Sequence, residues 1–454
     1  MSNPKVMFAG AVGAVTGSNF LLQSPEGVSI LIDCGLVQGE RVATAANRDP
    51  FSYEPGSIKA LLITHAHLDH VGRIPKLVKE GFTGHIYSTP QTKDLAELVL
   101  VDAVGILAEE ARRDGADPLY VMDDVLKVFP QWKTVEYHES LSLVPGTSAI
   151  FLDAGHILGS AMIEVTCGGK KILFSGDLGN SPAPLLCDTE PLGDVDYLAI
   201  ESTYGDRNHE PKEDRLIKFV QIIKSTLGQG GTLVIPAFSI DRTQLIIYEL
   251  NNLMESGRIK RVPVFVDSPM AIKATQIYKS NPDLFNTRIR EQIQRGDDIF
   301  SFPGLEYAVS QADSRNIERL HSAKIILAGS GMSMGGRVIR HEENFLPDPK
   351  STILLIGYQA VGSLGRELAE GARKIRIHGR EIKVKARIET LYSYSAHKDS
   401  DHLVEFVSTG TSLLKKVFVT HGEPGSSMHL AQRLNDELDA HAIVPEKNKF
   451  YDLI

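Results

Sequence analysis

One short segment limits what this chain can be more than any other feature. Residues 65–70 read His-Ala-His-Leu-Asp-His and end the strand-length apolar pattern of 59–65. His65 and His67 are two residues apart, so an extended backbone places both side chains on one side. Asp69 and His70 fall where a helical pattern begins, and can point to a neighbouring position. Imidazole and carboxylate together suit Zn²⁺ or a similar divalent ion. The segment therefore predicts a metal site at a strand end; a polar loop with surface histidines is the alternative.

Further candidate ligands follow other apolar stretches. His156 lies in a glycine-bounded turn, Asp177 ends the pattern LFSGD, and His421 ends VFVTH. Each alone is more often a turn residue than a ligand. Strand ends that each offer one His or Asp to a common edge give a rigid site, as a metal requires. We therefore interpret the three residues together with the 65–70 segment.

Periodicity along the chain predicts an α/β protein. Short strand patterns separated by glycine-rich turns fill the first third of the chain, with a helical segment at about 91–130. From about 206, buried strands alternate with helices, which indicates a parallel sheet. Strand patterns resume after about 373. We expect a first domain at 1–205, an inserted domain at 206–373, and a return to the first domain at 374–454.

Composition excludes some classes of protein. The three cysteines are far apart and form no CxxC pair, so neither a disulfide framework nor a cysteine-based zinc ribbon is supported. No signal peptide or apolar membrane span is evident, and a cytoplasmic location is expected. The formal net charge of -9 argues weakly against a nucleic-acid partner. Divalent ions bound at the predicted metal site would nevertheless make an acidic site locally positive.

The motifs, taken in order, resemble a known family. Asp33, the HxHxDH segment, His156 and Asp177 resemble motifs one to four of the metallo-β-lactamase superfamily. Glu201 in AIESTYGDR, His397 in YSAHKD and His421 in VTHGE look like motifs A, B and C of its β-CASP nuclease branch. The pattern is similar to bacterial and archaeal RNA-processing nucleases and to the eukaryotic pre-mRNA 3′-end cleavage nuclease. The implied fold is an αββα metallo-β-lactamase sandwich with an inserted α/β parallel-sheet β-CASP domain.

The resemblance implies two Zn²⁺ ions per chain. Seven ligands are implied: His65, His67 and His156 for one ion, Asp69, His70 and His421 for the other, and Asp177 as the bridge. Asp33 would lie behind the ligands and orient them, although a turn-capping aspartate is the alternative.

The implied activity is that of a ribonuclease. Hydroxide generated at the two-metal centre would attack a phosphodiester of single-stranded RNA, leaving a 5′-phosphate and a 3′-hydroxyl. His397, oriented by Glu201, would protonate the leaving oxygen, and Asp69 also counts among the catalytic residues. The first alternative is a metallo-β-lactamase-fold hydrolase of a small ester or thioester. The second is a non-catalytic scaffold subunit. Relatives of this kind often form homodimers, so a homodimer is also considered.

Weaker patterns suggest phosphate contacts. The glycine-rich segment 329–337 follows an apolar strand, and Ser330, Gly331 and Arg337 within it could hold a phosphate. Arg242 and Ser395 are further candidates. A plain structural turn and solvated arginines are the alternatives. The basic segment 373–387 alternates in a way that predicts a strand with one solvated face.

Overall fold

The computed structural model describes residues 3–39, 45–360, 362–410 and 413–454. These residues form two compact units. The first unit combines the chain up to Asn208 with His397–Ile454, and the second consists of His209–Ala396. None of the helices within the described ranges is long and apolar enough to cross a membrane.

Strands and helices alternate along both units. The strands are β1 (Lys5–Phe8), β2 (Phe20–Gln23), β3 (Ser29–Ile32), β4 (Ile58–Leu62), β5 (His85–Ser88), β6 (Trp132–Thr134), β7 (Leu141–Val144), β8 (Thr147–Asp153), β9 (Ala161–Cys167), β10 (Lys170–Phe174), β11 (Tyr197–Ile200), β12 (Thr232–Pro236), β13 (Val264–Asp267), β14 (Leu305–Tyr307), β15 (Lys324–Ala328), β16 (Thr352–Ile356), β17 (Lys374–Ile377), β18 (Arg380–Lys383), β19 (Arg387–Leu391), β20 (Lys416–Val419), β21 (Ala442–Ile443) and β22 (Phe450–Asp452). The α-helices are α1 (Leu68–Val71), α2 (Ile74–Lys79), α3 (Pro90–Asp114), α4 (Met122–Leu126), α5 (Lys212–Gly228), α6 (Arg242–Glu255), α7 (Pro269–Ser280), α8 (Thr287–Gln294), α9 (Gln311–Arg319), α10 (Val338–Phe345), α11 (Leu364–Ala369), α12 (Ser400–Ser408) and α13 (Pro424–Leu438).

The first unit is a sandwich of two sheets. Within the described residues their strand orders are β22-β1-β2-β3-β4-β5-β6 and β21-β20-β11-β10-β9-β8-β7. Apolar side chains from both sheets form one buried cluster, in which the rings of Phe8 and Phe418 lie 5.0 Å apart. Burial alternates along β8, as expected for a strand with one face in the core.

Helices cover the outer faces of this sandwich. Leu403 on α12 and Leu430 and Leu434 on α13 pack against the second sheet in a separate apolar cluster. On the other side α3 contacts β6. The α3 helix begins with Thr89, whose side chain accepts a hydrogen bond from the Thr92 amide, and ends before Gly115, which is left-handed. The predicted αββα arrangement is confirmed.

The second unit is built on a parallel sheet. Its described strands run in the order β14-β13-β15-β12-β16-β19, and every pairing among them is parallel. β12, β15 and β16 are buried throughout, as expected for strands covered on both faces. A separate antiparallel ribbon is formed by β17 and β18. The predicted inserted α/β domain with a parallel sheet is thus present.

The second unit extends further along the chain than the sequence suggested. The return to the first domain was expected at 374, but the structure assigns residues up to Ala396 to the second unit. The reason is the pairing of β19 with β16, which runs from Thr352↔Arg387 to Ile356↔Leu391. The basic segment 373–387, predicted to be a strand with one solvated face, contains two strands, β17 and β18, and the first residue of β19.

Candidate metal centre

The candidate residues of the first unit lie just beyond strand ends. Asp33 follows β3, His65 follows β4, His156 follows β8, Asp177 follows β10, Glu201 follows β11 and His421 follows β20. β3 is parallel to β4, and β10, β11 and β20 are mutually parallel. Because parallel strands end at the same edge of a sheet, these side chains are brought to one edge of the sandwich.

The first group of potential ligands surrounds one carboxylate oxygen. His65, His67, His156 and Asp177 each offer one atom, and these atoms lie within 4.8 Å of one another. His67 Nδ1 lies 3.0 Å from His65 Nε2 and 3.3 Å from His156 Nε2. Asp177 Oδ2 lies 3.3 Å from His65 Nε2 and 3.5 Å from His156 Nε2. Three imidazoles and one carboxylate oxygen therefore point to a common position.

The second group uses the other oxygen of the same aspartate. Asp177 Oδ1 lies 3.3 Å from His70 Nε2 and 3.4 Å from His421 Nε2. Asp69 Oδ2 lies 3.8 Å from His70 Nε2 and 3.7 Å from His421 Nε2. Asp177 is thus shared by two ligand groups, one on each of its oxygens.

The spacing of these atoms fits divalent metal ions. Ligands at about 2.0–2.1 Å from a tetrahedral zinc are about 3.3 Å from each other, close to the separations in both groups. His70 Nε2 and Asp177 Oδ1 are buried, and neither has a hydrogen-bond partner among the described residues. Buried polar atoms without partners are costly, so the convergence of these two atoms fits a site that binds a cation.

A network behind the ligands connects the two groups. His70 Nδ1 lies 2.7 Å from Asp33 Oδ2, so the imidazole can donate to this carboxylate while its Nε2 faces a metal. Thr64 donates to Asp33 from its amide, at 2.9 Å, and its hydroxyl lies 2.9 Å from Asp33 Oδ2. The same hydroxyl lies 3.1 Å from His65 Nδ1. Asp33 therefore reaches His70 directly and His65 through Thr64. Thr64 could not be predicted from the sequence, because a threonine in an apolar strand pattern has no distinguishing signal.

Burial and nearby carboxylates shift the pKa values of the ligand histidines in different directions. Burial lowers the pKa of His65, and lowers the pKa values of His67 and His156 well below the ordinary value. Burial also acts to lower the pKa of His70, but the carboxylates of Asp177 and Asp33 raise it well above the ordinary value. Neutral imidazoles are the metal-binding form, so the first group is already in that form at neutral pH.

Two closely packed glycines hold the loops that carry the ligands. Gly35 packs so closely that a Cβ there would lie 1.5 Å from the carbonyl oxygen of Asp69. Gly176 has a φ of +54°, and a Cβ at this position would lie 2.7 Å from the Cβ of Thr64. Side chains at these two positions would displace the ligand loops.

A further pair lies beside the first ligand group. His397 Nδ1 lies 3.0 Å from Glu201 Oε2, and its ring centroid is 4.7 Å from that of His156. The Leu178 amide donates to Glu201 at 2.6 Å, which fixes the carboxylate. Burial lowers the pKa of His397, but Glu201 and Asp177 more than offset this and raise it to about 9. Glu201 therefore holds the His397 ring through Nδ1.

Comparison with known proteins agrees with this geometry. Residues 12–214 match the metallo-beta-lactamase superfamily, 243–368 match the Beta-Casp domain, and 381–445 match the Zn-dependent metallo-hydrolase RNA specificity domain. A protein named ribonuclease TTHA0252, from Thermus thermophilus, is 36% identical over 425 residues, which cover 94% of each chain. The chain belongs to the β-CASP family. Two further β-CASP matches, named transcription termination factor FttA, come from Methanosarcina mazei and Pyrococcus abyssi. The first is 32% identical over 96% of this chain and 69% of its own length. The second is 32% identical over 94% of this chain and 68% of its own length.

A solved structure supports the fold alone. The crystal structure of a protein of unknown function from Enterococcus faecalis V583 aligns with 99% of this chain and 100% of its own. The TM-score is 0.58 at 11% sequence identity. The metallo-β-lactamase match and the two clusters of histidine and aspartate together indicate a divalent-metal site in this β-CASP protein.

The arginines predicted to bind phosphate are held inside the β-CASP unit. Arg337 donates to Asp267 at 2.7 Å and to the Ala308 and Val309 carbonyls at 2.9 and 3.0 Å. Arg242 is buried and donates to Asp241 and to the Tyr394 carbonyl. Burial lowers the pKa of Arg242 to about 10. Both guanidinium groups therefore have internal partners, and their phosphate contacts stay a prediction.

The other predicted phosphate contacts lie in tight turns of the same unit. Ser330 accepts a hydrogen bond from the Met334 amide at 3.1 Å. A Cβ at Gly331 would lie 2.6 Å from the Phe238 ring, so close packing explains this glycine without a ligand. Ser395 is buried, and its amide donates to the Tyr392 carbonyl at 2.9 Å. The structure accounts for Gly331 by packing, and phosphate binding at Ser330 and Ser395 stays a prediction.

Proposed function

We propose that this protein hydrolyses the phosphodiester bonds of single-stranded RNA with two zinc ions bound in its first unit. The observation that carries the proposal is the position of Asp177, whose two oxygens each face a separate group of ligand atoms. Two neighbouring ligand groups that share one carboxylate are typical of sites for two-metal phosphoryl transfer. The relative from Thermus thermophilus is named a ribonuclease and matches this chain over 94% of the length of each protein, which supports RNA as the substrate.

The residues that would hold the ions are those grouped by the structure. His65, His67 and His156 would hold one, Asp69, His70 and His421 the other, and Asp177 would bridge them. Zinc fits this set because imidazole and carboxylate are its usual nitrogen and oxygen ligands. When bound, the two ions would supply positive charge for the scissile phosphate and hydroxide at neutral pH.

His397 would act as the general acid. Glu201 holds its Nδ1, and Nε2 would donate a proton to the departing 3′ oxygen, which leaves as a hydroxyl. The carboxylates that raise its pKa keep this proton in place near neutral pH. The positive charge of bound ions would bring the pKa back towards neutrality, where general acid catalysis is most effective.

The test is cleavage of a 5′-labelled single-stranded RNA by the zinc-loaded protein, beside a DNA strand of the same sequence. We expect RNA to be cut, with the product ladder distinguishing internal cleavage from trimming. His397→Ala should lower the rate by about 10²–10⁴-fold, the usual contribution of a general acid, and should keep both metals. Asp177→Ala should lose metal as well as activity.

A matched variant controls for the loss of any histidine. His429 is exposed on α13, so His429→Ala should cleave RNA as the unaltered protein does. A zinc-loaded protein that cuts neither strand would overturn the proposal. Light scattering on the same samples checks the prediction of a homodimer.

A further inference from the structure

The ribbon formed by β17 and β18 carries an unusual concentration of positive charge. Between residues 373 and 387 the sequence has seven lysines and arginines and one glutamate, in a chain whose formal net charge is -9. The sequence pattern indicated only a strand with a solvated face, and the proposed catalytic centre uses none of these residues.

The pairing of the ribbon separates an apolar face from a charged one. Ile375 and Ile377 belong to the buried apolar cluster of the second unit, and Ile382, which pairs with Ile375, packs against this cluster. Lys374 pairs with Lys383, and Arg376 pairs with Glu381, on the opposite face. The apolar face thus anchors the ribbon to the unit, and the charged face is left in solvent.

The charged face is poorly neutralised by the protein itself. Glu381 forms an ion pair with Lys374 at 2.8 Å, where both side chains are more than half exposed. Within the described part of the chain no ion pair of 4.0 Å or less joins Arg376 or Lys383 to a carboxylate. Two lysines directly opposite each other destabilise an antiparallel pair. Placing Lys374 opposite Lys383 therefore costs stability that an anionic ligand would offset.

We propose that the outer face of this ribbon, defined by Lys374, Arg376 and Lys383, binds the phosphate backbone of RNA. The proposal rests on the proposed function, because the ribonuclease substrate supplies the polyanion. Lysine and arginine neutralise phosphates and release condensed counterions, so such binding depends on charge and salt but not on sequence. The ribbon would thus hold a long RNA without reading its bases.

The test compares two variants of the full-length protein that lose the same charge. In the ribbon variant, Lys374, Arg376 and Lys383 are each changed to Gln. In the control variant, the scattered exposed residues Lys127, Arg258 and Lys447 are each changed to Gln. Fluorescence anisotropy with a 3′-labelled RNA of about 30 nucleotides, in EDTA to prevent cleavage, measures affinity at several salt concentrations. Zinc-loaded samples are assayed separately for cleavage of the same RNA and of bis(p-nitrophenyl) phosphate.

The ribbon variant should bind the RNA roughly tenfold more weakly, and its log–log salt slope should fall by about 2, near 0.7 per lost phosphate contact. The control variant should bind as the unaltered protein does. Hydrolysis of bis(p-nitrophenyl) phosphate, a small diester without an RNA backbone, should stay unchanged in both variants.

Other outcomes overturn the ribbon proposal in distinguishable ways. If the unaltered protein cleaves the RNA and the ribbon variant binds it within twofold of the control, the ribbon proposal fails and the proposed function stands. If the unaltered protein does not cut RNA, the proposed function fails, and the anisotropy values still report whether the ribbon binds a polyanion. If a polyglutamate peptide binds through the ribbon and RNA does not, the partner is an acidic protein.

Discussion

Two buried aspartates at strand ends, one in each unit, have opposite surroundings. Asp267, the last residue of β13, accepts hydrogen bonds from Ser314 at 2.5 Å and Arg337 at 2.7 Å, and lies 2.7 Å from His341 Nε2. Asp177, beyond β10, has imidazole nitrogens at 3.3–3.5 Å instead. The first set of distances is that of charge-assisted hydrogen bonds. The second set is longer and leaves space between the ligands.

The difference shows how a metal ligand can be separated from a structural carboxylate. Both side chains are buried, Asp267 as the last residue of an apolar strand and Asp177 just beyond the end of one. Asp267 has donors that satisfy its charge, and these lower its pKa against the effect of burial. Asp177 Oδ1 has no hydrogen-bond partner among the described residues, although two imidazole nitrogens lie within 3.4 Å of it. A buried carboxylate surrounded by ligand atoms but not bonded to them is the one that requires a cation.

The largest difference between the two sites is expected when each aspartate is changed to asparagine. Asp177→Asn should lose bound metal and lower RNA cleavage by about 10³-fold or more, since a metal contributes several kcal/mol to the transition state. Asp267→Asn should keep its metal, but should lower the free energy of unfolding by about 3 kcal/mol because Arg337 loses its buried partner. Elemental analysis and denaturant unfolding measure the two effects. Loss of metal from Asp267→Asn would show that the contrast between the two sites is false.

Glu342 in the second unit sharpens the contrast, because it is a buried carboxyl with one oxygen that lacks a hydrogen-bond partner among the described residues. Burial raises its pKa from 4.5 to about 7, against the Ser333 hydroxyl that donates to it. Between these values the folded chain binds more protons than the unfolded chain, so the free energy of unfolding should decrease as pH rises from 4.5 to 7. Above pH 7 the loss is complete, at about 3 kcal/mol.

Glu342→Gln should therefore remove most of this pH dependence and be more stable than the unaltered protein at pH 8. Urea unfolding at pH 5 and pH 8 measures it, with intrinsic fluorescence as the signal. An equal pH dependence in the variant would mean that Glu342 is ionised in the folded protein, like Asp177.

Thr64 provides the smallest expected effect, and it tests how the ligands of the first unit are oriented. Thr64→Val keeps the shape of the side chain but removes the hydroxyl between Asp33 and His65. Loss of such an orienting partner typically weakens metal binding by about 10–100-fold. Thr64→Ser keeps the hydroxyl and should bind metal nearly as the unaltered protein does. Competition with a chromophoric zinc chelator measures both; equal affinities in the two variants would remove the orienting role.

Much of the first unit could be predicted from the sequence because several of its ligands lie close together in one short segment. The 65–70 segment concentrates four ligand-type residues in one turn, and the structure places them with His156, Asp177 and His421 at one edge. The β-CASP motifs also placed Glu201 beside His397, although these residues are 196 positions apart.

The remaining features depend on contacts that no local pattern encodes. The end of the second unit at Ala396 follows from the pairing of β19 with β16, which lies 35 residues earlier. Thr64 acts through hydrogen bonds to Asp33 that form only when β3 and β4 pair. Asp267 and Asp177 have similar sequence surroundings, and only their three-dimensional partners distinguish them.

The most direct test of the two-ion centre is anomalous X-ray diffraction from crystals of the zinc-loaded protein, recorded on both sides of the zinc edge. We predict two zinc peaks per chain, one beside each carboxylate oxygen of Asp177. One peak should be bounded by His65, His67 and His156, and the other by Asp69, His70 and His421. A single peak, or zinc at other residues while the protein still cleaves RNA, would contradict the shared role of Asp177.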